Sequence, residues 1–154
     1  MAVDTKTVTG RREVRYETME ELLEDVKNYS GTDVKMIGNW SQGQIFKHLA
    51  DTMDLSIDGF GMKFPLPLRI FVKLFMKNKF LYKAIPSGFK APDQFQPDET
   101  STEEGVELIT KAIARQQEDS NRALHPGFGT LTLEEWTQFH LRHAEMHMSF
   151  MTKG

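Results

Sequence analysis

The chain has 154 residues and a formal net charge of −3 at pH 7, with 39% hydrophobic and 27% charged residues. This length and balance predict a single globular domain over residues 1–154. The slight acidic surplus argues against a dedicated nucleic-acid binder, because such domains usually carry a basic excess. No cysteine is present, so the chain has no disulfide and supplies no thiolate as metal ligand or nucleophile.

The first residues, MAVDTKTVTGRREVR, are polar and rich in threonine. They contain no apolar core of a signal peptide, and no stretch of the chain approaches the roughly 18 apolar residues of a membrane span. The sequence therefore predicts a cytoplasmic protein. Residues 1–15 are expected to be loosely held against the domain that follows.

The same helix-start signal occurs four times. In a capping box, a Ser or Thr accepts a hydrogen bond from the amide three residues later, and a Glu or Gln at that position reaches back. The pairs are Thr18 with Glu21, Ser41 with Gln44, Ser101 with Glu104, and Thr132 with Glu135. Each precedes apolar residues at three- and four-residue spacing, and no alternating strand pattern is present. We therefore predict an all-α fold, a four-helix bundle.

A long basic segment separates the second and third predicted helices. Residues 63–83 carry six positive charges and no negative charge, among many apolar residues. This pattern predicts a partly helical excursion from the bundle. Three roles compete, in this order: an extra helix packed across the bundle end, a lid whose cations attract an anionic substrate, and a helix on a membrane surface.

Four of the five histidines are predicted to face the interior of the bundle. At 100° per residue, His140, His143 and His147 follow the apolar stripe of the fourth helix. His48 follows the apolar stripe of the second helix in the same way. A buried neutral imidazole needs partners for both ring nitrogens. A metal ion would satisfy several rings at once, whereas a polar core cluster would need a separate partner for each nitrogen.

Helical spacing restricts which of these histidines share an ion. His143 lies one turn from His147 and close to His140, whereas His140 and His147 are two turns, about 10.5 Å, apart. His143 therefore belongs to one of two pairs, and spacing does not choose between them. Glu145, in the sequence HAEMH, lies on the opposite side of the helix, so this is not a zincin motif. We expect Glu145 to be a solvated or salt-bridged surface residue.

Two stretches resemble a known family. Residues 39–51, NWSQGQIFKHLAD, and residues 125–151, HPGFGTLTLEEWTQFHLRHAEMHMSFM, resemble the DinB-like four-helix metalloproteins, in particular a branch known only as a domain of unknown function. The resemblance implies a metal centre with one histidine from the second helix and an H-x-x-x-H pair from the fourth. By motif, these ligands are His48, His143 and His147.

The resemblance also implies a class of activity. Characterised relatives include transferases and isomerases that use low-molecular-weight thiols, so we predict a metal-dependent enzyme, a thiol-dependent S-transferase acting on a small molecule. Three neutral histidines leave a divalent ion an open position, as in catalytic zinc sites. Zinc is the expected ion, with nickel or iron as alternatives. The competing prediction is a non-catalytic module that binds a ligand or partner, in which the histidines form a polar core cluster.

Further residues are candidates for supporting roles. His140 and Asp51 are candidate helpers, although a surface carboxylate is the simpler role for Asp51. Thr52 is either a pocket hydroxyl or the partner of its own helix carbonyl. His125 precedes a proline and is expected to pack in the loop. We predict no nucleic-acid partner and no membrane partner, and a homodimer only from the tendency of small bundles to pair.

Overall fold

The computed structural model describes residues 2–154, and this part of the chain is mostly helical. Its elements are α1 (Met19–Asn28), β1 (Val34–Met36), α2 (Gln42–Asp58), α3 (Leu66–Phe75), α4 (Lys77–Tyr82), α5 (Thr102–Glu118), α6 (Leu133–Met148) and β2 (Met151–Lys153). A short 3-10 turn, Asp93–Phe95, precedes α5. Within the described residues, no helix has both the length and the apolar character needed to cross a membrane. The prediction that the fold is mainly helical is confirmed.

The four predicted helix starts are confirmed in atomic detail. Each cap side chain accepts a hydrogen bond from the backbone N–H three residues later, at 3.1–3.2 Å. The cap residues are Thr18, Ser41, Ser101 and Thr132. In α2 and α6 the reciprocal bond also forms, because Gln44 and Glu135 accept from the cap amide at 3.0 Å. These bonds satisfy amides that a helix start leaves unpaired, and so they define where the four helices begin.

The main hydrophobic core lies between α1, α2, α5 and α6. Helix α2 packs along α5 and against α6, and α1 packs against α5 and α6. Fully buried side chains from all four helices meet there, including Leu22, Phe46, Ile109 and Leu141. A smaller cluster around Trp136 joins the start of α6 to α3 and to the loop that precedes α6.

Two glycines allow α2 and α5 to approach closely at their N-terminal ends. A Cβ added to Gly43 would overlap the carbonyl oxygens of Thr100 and Ser101, and a Cβ added to Gly105 would lie 2.9 Å from the Cα of Gly43. These neighbours are backbone atoms, which cannot move aside as a flexible side chain does. The contact between the two helices therefore depends on the absence of side chains at this point.

The two short strands were not predicted. β1 pairs antiparallel with β2, with Lys35 opposite Thr152, and this pairing attaches the chain after α6 to the segment before α2. Each strand has only three residues, which is too short to show the alternation that identifies a strand in a sequence.

The segment before α1 is held by Arg12. Its guanidinium pairs with Asp25 at 2.8 Å and donates to the carbonyl oxygens of Met148 and Met151. The looseness predicted for residues 1–15 therefore does not extend to Arg12, while Met1 lies outside the described residues.

The basic excursion is helical, as predicted, and forms α3 and α4. Helix α4 packs against α6, and Lys77 pairs with Glu135 in the first turn of α6 at 2.9 Å. The buried side chains of residues 63–83 are those of Val72 in α3 and Leu81 in α4. The excursion thus packs on the start of α6 through a few residues, while most apolar side chains of α3 remain exposed.

Substitution of Gly43 by alanine tests the close approach of α2 and α5. In an open helix position this change stabilises a protein by about 1 kcal/mol. Here we expect the free energy of unfolding to fall by about 1–3 kcal/mol, because the new Cβ would overlap the backbone of the neighbouring helix start. Urea denaturation followed by circular dichroism measures the change. Lys111→Ala, on the exposed face of α5, is the control and should change stability by about 0.5 kcal/mol or less. A Gly43→Ala variant as stable as the wild type would contradict the tight crossing.

Candidate metal centre

The ring nitrogens of the three predicted ligands lie close together. His48 lies in α2, and His143 and His147 lie one turn apart in α6. The Nε2 atom of His143 is 3.2 Å from Nε2 of His48 and 3.1 Å from Nε2 of His147. One ring nitrogen from each residue lies within 4.8 Å of the others, and this group could hold a metal ion. We call these residues the histidine cluster.

The spacing of the nitrogens fits a small divalent ion. Two nitrogens bound to tetrahedral zinc at the usual bond length are separated by about 3.3 Å, close to the observed 3.1 and 3.2 Å. Hydrogen bonding explains this geometry less well, because Nε2 of His143 carries at most one proton and has two nitrogen neighbours. A cation that accepts a lone pair from each ring satisfies all three nitrogens together.

A backbone carbonyl determines which nitrogen of His48 faces the cluster. Nδ1 of His48 lies 3.1 Å from the carbonyl oxygen of Phe95, in the 3-10 turn before α5. A carbonyl oxygen can only accept, so Nδ1 carries the proton and Nε2 presents its lone pair. This is the tautomer that metal-binding histidines adopt, with the second ring nitrogen held by a carbonyl or carboxylate.

Aromatic rings support the cluster from outside. Trp40, just before α2, stacks on His147 with ring centroids 5.3 Å apart and planes inclined by 13°. It also lies 4.9 Å from the ring of His48. Phe139 stacks on His143 at 5.6 Å, with planes inclined by 20°. These contacts restrict rotation of the imidazoles and so help to hold their nitrogens together.

The surroundings keep the three imidazoles neutral. Burial is the largest cause that lowers the pKa of each ring. The neighbouring histidines lower the pKa of His143 further, and His48 and Arg11 do the same for His147. At neutral pH the cluster therefore presents lone pairs rather than positive charge. His48 is 5% exposed, whereas His143 and His147 are partly exposed, which leaves their side accessible to solvent.

His140 lies outside the cluster. Its Nε2 is 3.2 Å from Oγ of Ser56, whose own proton goes to the carbonyl oxygen of Met53, so His140 donates this bond. The ring stacks on Trp136 and is 1% exposed. Burial lowers the pKa of His140 to about 3. The structure thus groups His143 with His147, a choice that helical spacing alone left open.

Asp51 and Thr52 each bond to a residue one turn earlier in α2. The carboxylate of Asp51 pairs with Lys47 at 2.7 Å. The hydroxyl of Thr52 donates to the carbonyl oxygen of His48, one turn earlier in the same helix, at 2.9 Å. Within residues 2–154, neither side chain forms a hydrogen bond to an imidazole of the cluster.

The surface position predicted for Glu145 is wrong. The residue is 7% exposed, and its carboxylate accepts from the backbone N–H of Tyr16 and pairs with Arg142, both at 2.8 Å. The salt bridge was predicted, but its burial was not. The segment before α1 packs over this side of α6. The periodicity of the α6 sequence does not indicate that another segment will pack there.

His125 remains in the loop, as predicted. Its Nδ1 accepts from the backbone N–H groups of Gly127 and Phe128, both at 3.0 Å. Its ring also stacks on Phe128 with centroids 4.4 Å apart. Burial lowers the pKa of His125 to about 3, so the accepting nitrogen stays unprotonated at neutral pH and the turn keeps both bonds.

Sequence reasoning missed the groups that orient the imidazoles. The ring of Trp40 could have been anticipated, since it directly precedes the cap of the helix that carries His48. The carbonyl of Phe95 could not, because a backbone oxygen 47 residues away in the chain has no sequence signature.

Fold and site together define a mostly helical protein with a three-histidine group that could hold a metal ion. Residues 8–154 match the family described as protein of unknown function DUF1569, and the chain belongs to that family. No curated protein and no solved structure matches it.

The pH dependence of stability tests the environment of His125. Its pKa in the folded protein, about 3, lies below the unfolded value near 6.5. As the pH falls, the unfolded chain therefore binds the proton first, and folding loses stability from pH 6.5 downward. One such group accounts for roughly 2 kcal/mol between pH 6.5 and pH 5.

The His125→Asn variant isolates this contribution. Asparagine retains an oxygen that accepts the two N–H bonds, and it does not titrate. Between pH 6.5 and pH 5, the stability of the variant relative to wild type should therefore rise by about 2 kcal/mol. Urea denaturation of both proteins across this range provides the measurement. Parallel stability curves would show that His125 titrates normally in the folded protein.

Proposed function

We propose that the histidine cluster is a divalent-metal centre and that the protein is a metal-dependent enzyme. The main support is the convergence of three neutral imidazole nitrogens: Nε2 of His143 lies 3.1–3.2 Å from Nε2 of each of the other two histidines. Three protein ligands leave a position open, which is the pattern of catalytic zinc rather than of closed structural sites. Zinc is the proposed ion, and nickel or iron would suit the same all-nitrogen ligands.

The proposal extends to the fold class. We take α1, α2, α5 and α6 to be a four-helix bundle of the DinB-like type, with α3 and α4 as an excursion between its second and third helices. The mutual packing of these helices around the main core supports this. The positions of the histidines, on the second and fourth helices of the set, also agree with the motif in residues 39–51 and 125–151.

The proposed reaction transfers a low-molecular-weight thiol to an electrophilic small molecule. The thiol loses its proton to solvent, its sulfur forms a bond to an electrophilic carbon, and the bond from that carbon to the leaving group breaks, so that the leaving group departs with the electron pair. The chain has no cysteine, so the sulfur must come from a cosubstrate. A bound divalent ion would supply a Lewis acid that favours the thiolate form.

The chain's own residues prepare the site for this chemistry. The carbonyl of Phe95 holds His48 in the required tautomer, and Trp40 and Phe139 restrict the other two rings. The partly exposed side of the cluster, at His143 and His147, is where a thiol and an electrophile would enter.

Metal content measured by elemental mass spectrometry on untagged protein tests the centre directly. We expect about one equivalent of a divalent metal in the wild type. His143→Ala should hold little, because it removes the nitrogen that lies between the other two. His140→Gln is the matched control, since His140 is on the same helix and buried but outside the cluster, and it should retain the metal.

Circular dichroism of each variant separates metal loss from unfolding. Wild-type protein that stays free of metal after incubation with zinc and with nickel would contradict the centre. The histidines would then be a polar core cluster, and His143→Ala would lower stability without any change in metal content.

Consumption of free thiol tests the reaction. Zinc-loaded wild type should accelerate the loss of a low-molecular-weight thiol, such as bacillithiol or mycothiol, in the presence of an electrophile. His143→Ala should leave the reaction at its background rate, and His140→Gln should retain activity. If the metal-loaded protein accelerates the reaction of no combination of thiol and electrophile, the proposed metal centre stands and the proposed transferase activity is wrong.

A further inference from the structure

Helix α3 turns its apolar side chains toward solvent. The large ones are all close to half exposed or more: Leu66 at 59%, Leu68 at 46%, Ile70 at 51%, Phe71 at 52%, Leu74 at 70% and Phe75 at 70%. A helix on the surface of a globular protein normally shows the opposite arrangement, with polar residues outward. The apolar side of α3 therefore has no partner within residues 2–154.

The rotation of α3 defines two faces. Val72, which is 8% exposed, points toward the body of the protein. At 100° per residue, Leu74 lies about 160° away from Val72, with Ile70 and Phe71 on either side of Leu74. The rings of Phe71 and Phe75 are 5.1 Å apart. The outward residues thus form a continuous apolar strip along a helix of ten residues, and exposed strips of this kind mark interaction surfaces.

Unpaired positive charges accompany this strip. The segment 63–83 holds six cations and no carboxylate, in a chain whose net charge is −3. Lys77 is used in the ion pair with Glu135. Four other lysines are exposed and have no carboxylate within 4.0 Å among the described residues; they are Lys63, Lys73, Lys79 and Lys83. The partner of this face should therefore be negatively charged as well as apolar.

A second copy of the chain fits this face poorly. A symmetric contact through α3 would place the same patch of both subunits together. It would bring two segments with six positive charges each into contact, and juxtaposed like charges oppose association. A membrane surface with anionic lipids supplies both an apolar layer and negative charge.

We propose that α3 docks the protein on anionic lipid membranes. The helix lies in the plane of the interface, with the side chains around Leu74 among the lipid chains and the neighbouring lysines against the headgroups. Its ten residues measure about 15 Å, which is too short to span a bilayer. The sequence alone ranked this role last, because it could not show that packing buries only Val72 in this helix. The proposal does not depend on the metal centre.

Co-sedimentation with phosphatidylcholine vesicles, prepared with and without phosphatidylglycerol, tests the proposal. The full chain should bind the anionic vesicles at low salt. Its binding to the neutral vesicles should be at least about tenfold weaker, and its binding to the anionic vesicles should weaken as salt is added. The double variant Leu74→Ser with Phe75→Ser removes apolar contact, and Lys73→Glu with Lys79→Glu reverses charge. Each should weaken binding by at least about tenfold.

Matched controls come from exposed residues elsewhere. Leu133→Ser removes an apolar side chain that is 48% exposed at the start of α6, and Lys27→Glu reverses an exposed charge on α1. Both should bind vesicles as the wild type does. Because every substituted side chain is exposed, the variants should fold normally, and circular dichroism checks this.

Two results would overturn membrane docking. One is the absence of binding to anionic vesicles at low salt. The other is binding that either double variant leaves unchanged. Sedimentation velocity tests whether a second copy of the chain binds this face instead. If the wild type forms a dimer and binds no vesicles, and Leu74→Ser with Phe75→Ser abolishes the dimer, the face belongs to a second copy of the chain.

Discussion

The contact of three imidazole nitrogens, at 3.1 and 3.2 Å, requires one arrangement of α2 against α6. His48 and His143 belong to different helices, so a small shift of either helix along its axis would separate their nitrogens. The cap at Ser41 and the close approach at Gly43 define where α2 starts and how it lies on α5. Toward the C-terminal end of α6, β2 pairs with β1, and the side chains of Arg142 and Glu145 bond to the backbone of Tyr16, so α6 is held to the segment before α1.

The five histidines divide by the partners they find. His125 accepts from backbone amides, and His140 donates to a serine hydroxyl. Such bonds are the usual way to bury a neutral imidazole. The cluster differs, because the atoms that face one another are all ring nitrogens. That difference, more than the number of histidines, points to a cation as their common partner.

The candidate metal centre and the α3 surface belong to separate parts of the molecule. The first is built from α2 and α6, together with the turn that contains Phe95. The second is the outward strip of α3, which is joined to α6 through α4 and the ion pair of Lys77. The substitutions that remove the strip touch no residue of the cluster. Metal content and vesicle binding can therefore be measured as independent properties of the same protein.

The sequence by itself determined the helix starts and the candidate ligands. Capping bonds act within three residues and helical periodicity within a few turns, so both are present in the local pattern of residues. Helical spacing alone did not choose between His140 and His147; the family resemblance favoured His147, and the distances between α2 and α6 place His147, not His140, in the cluster. The burial of Glu145 depended on a segment 129 residues away. The outward side of α3 likewise followed only from tertiary packing, because an amphipathic pattern identifies two faces but not which one the rest of the chain covers.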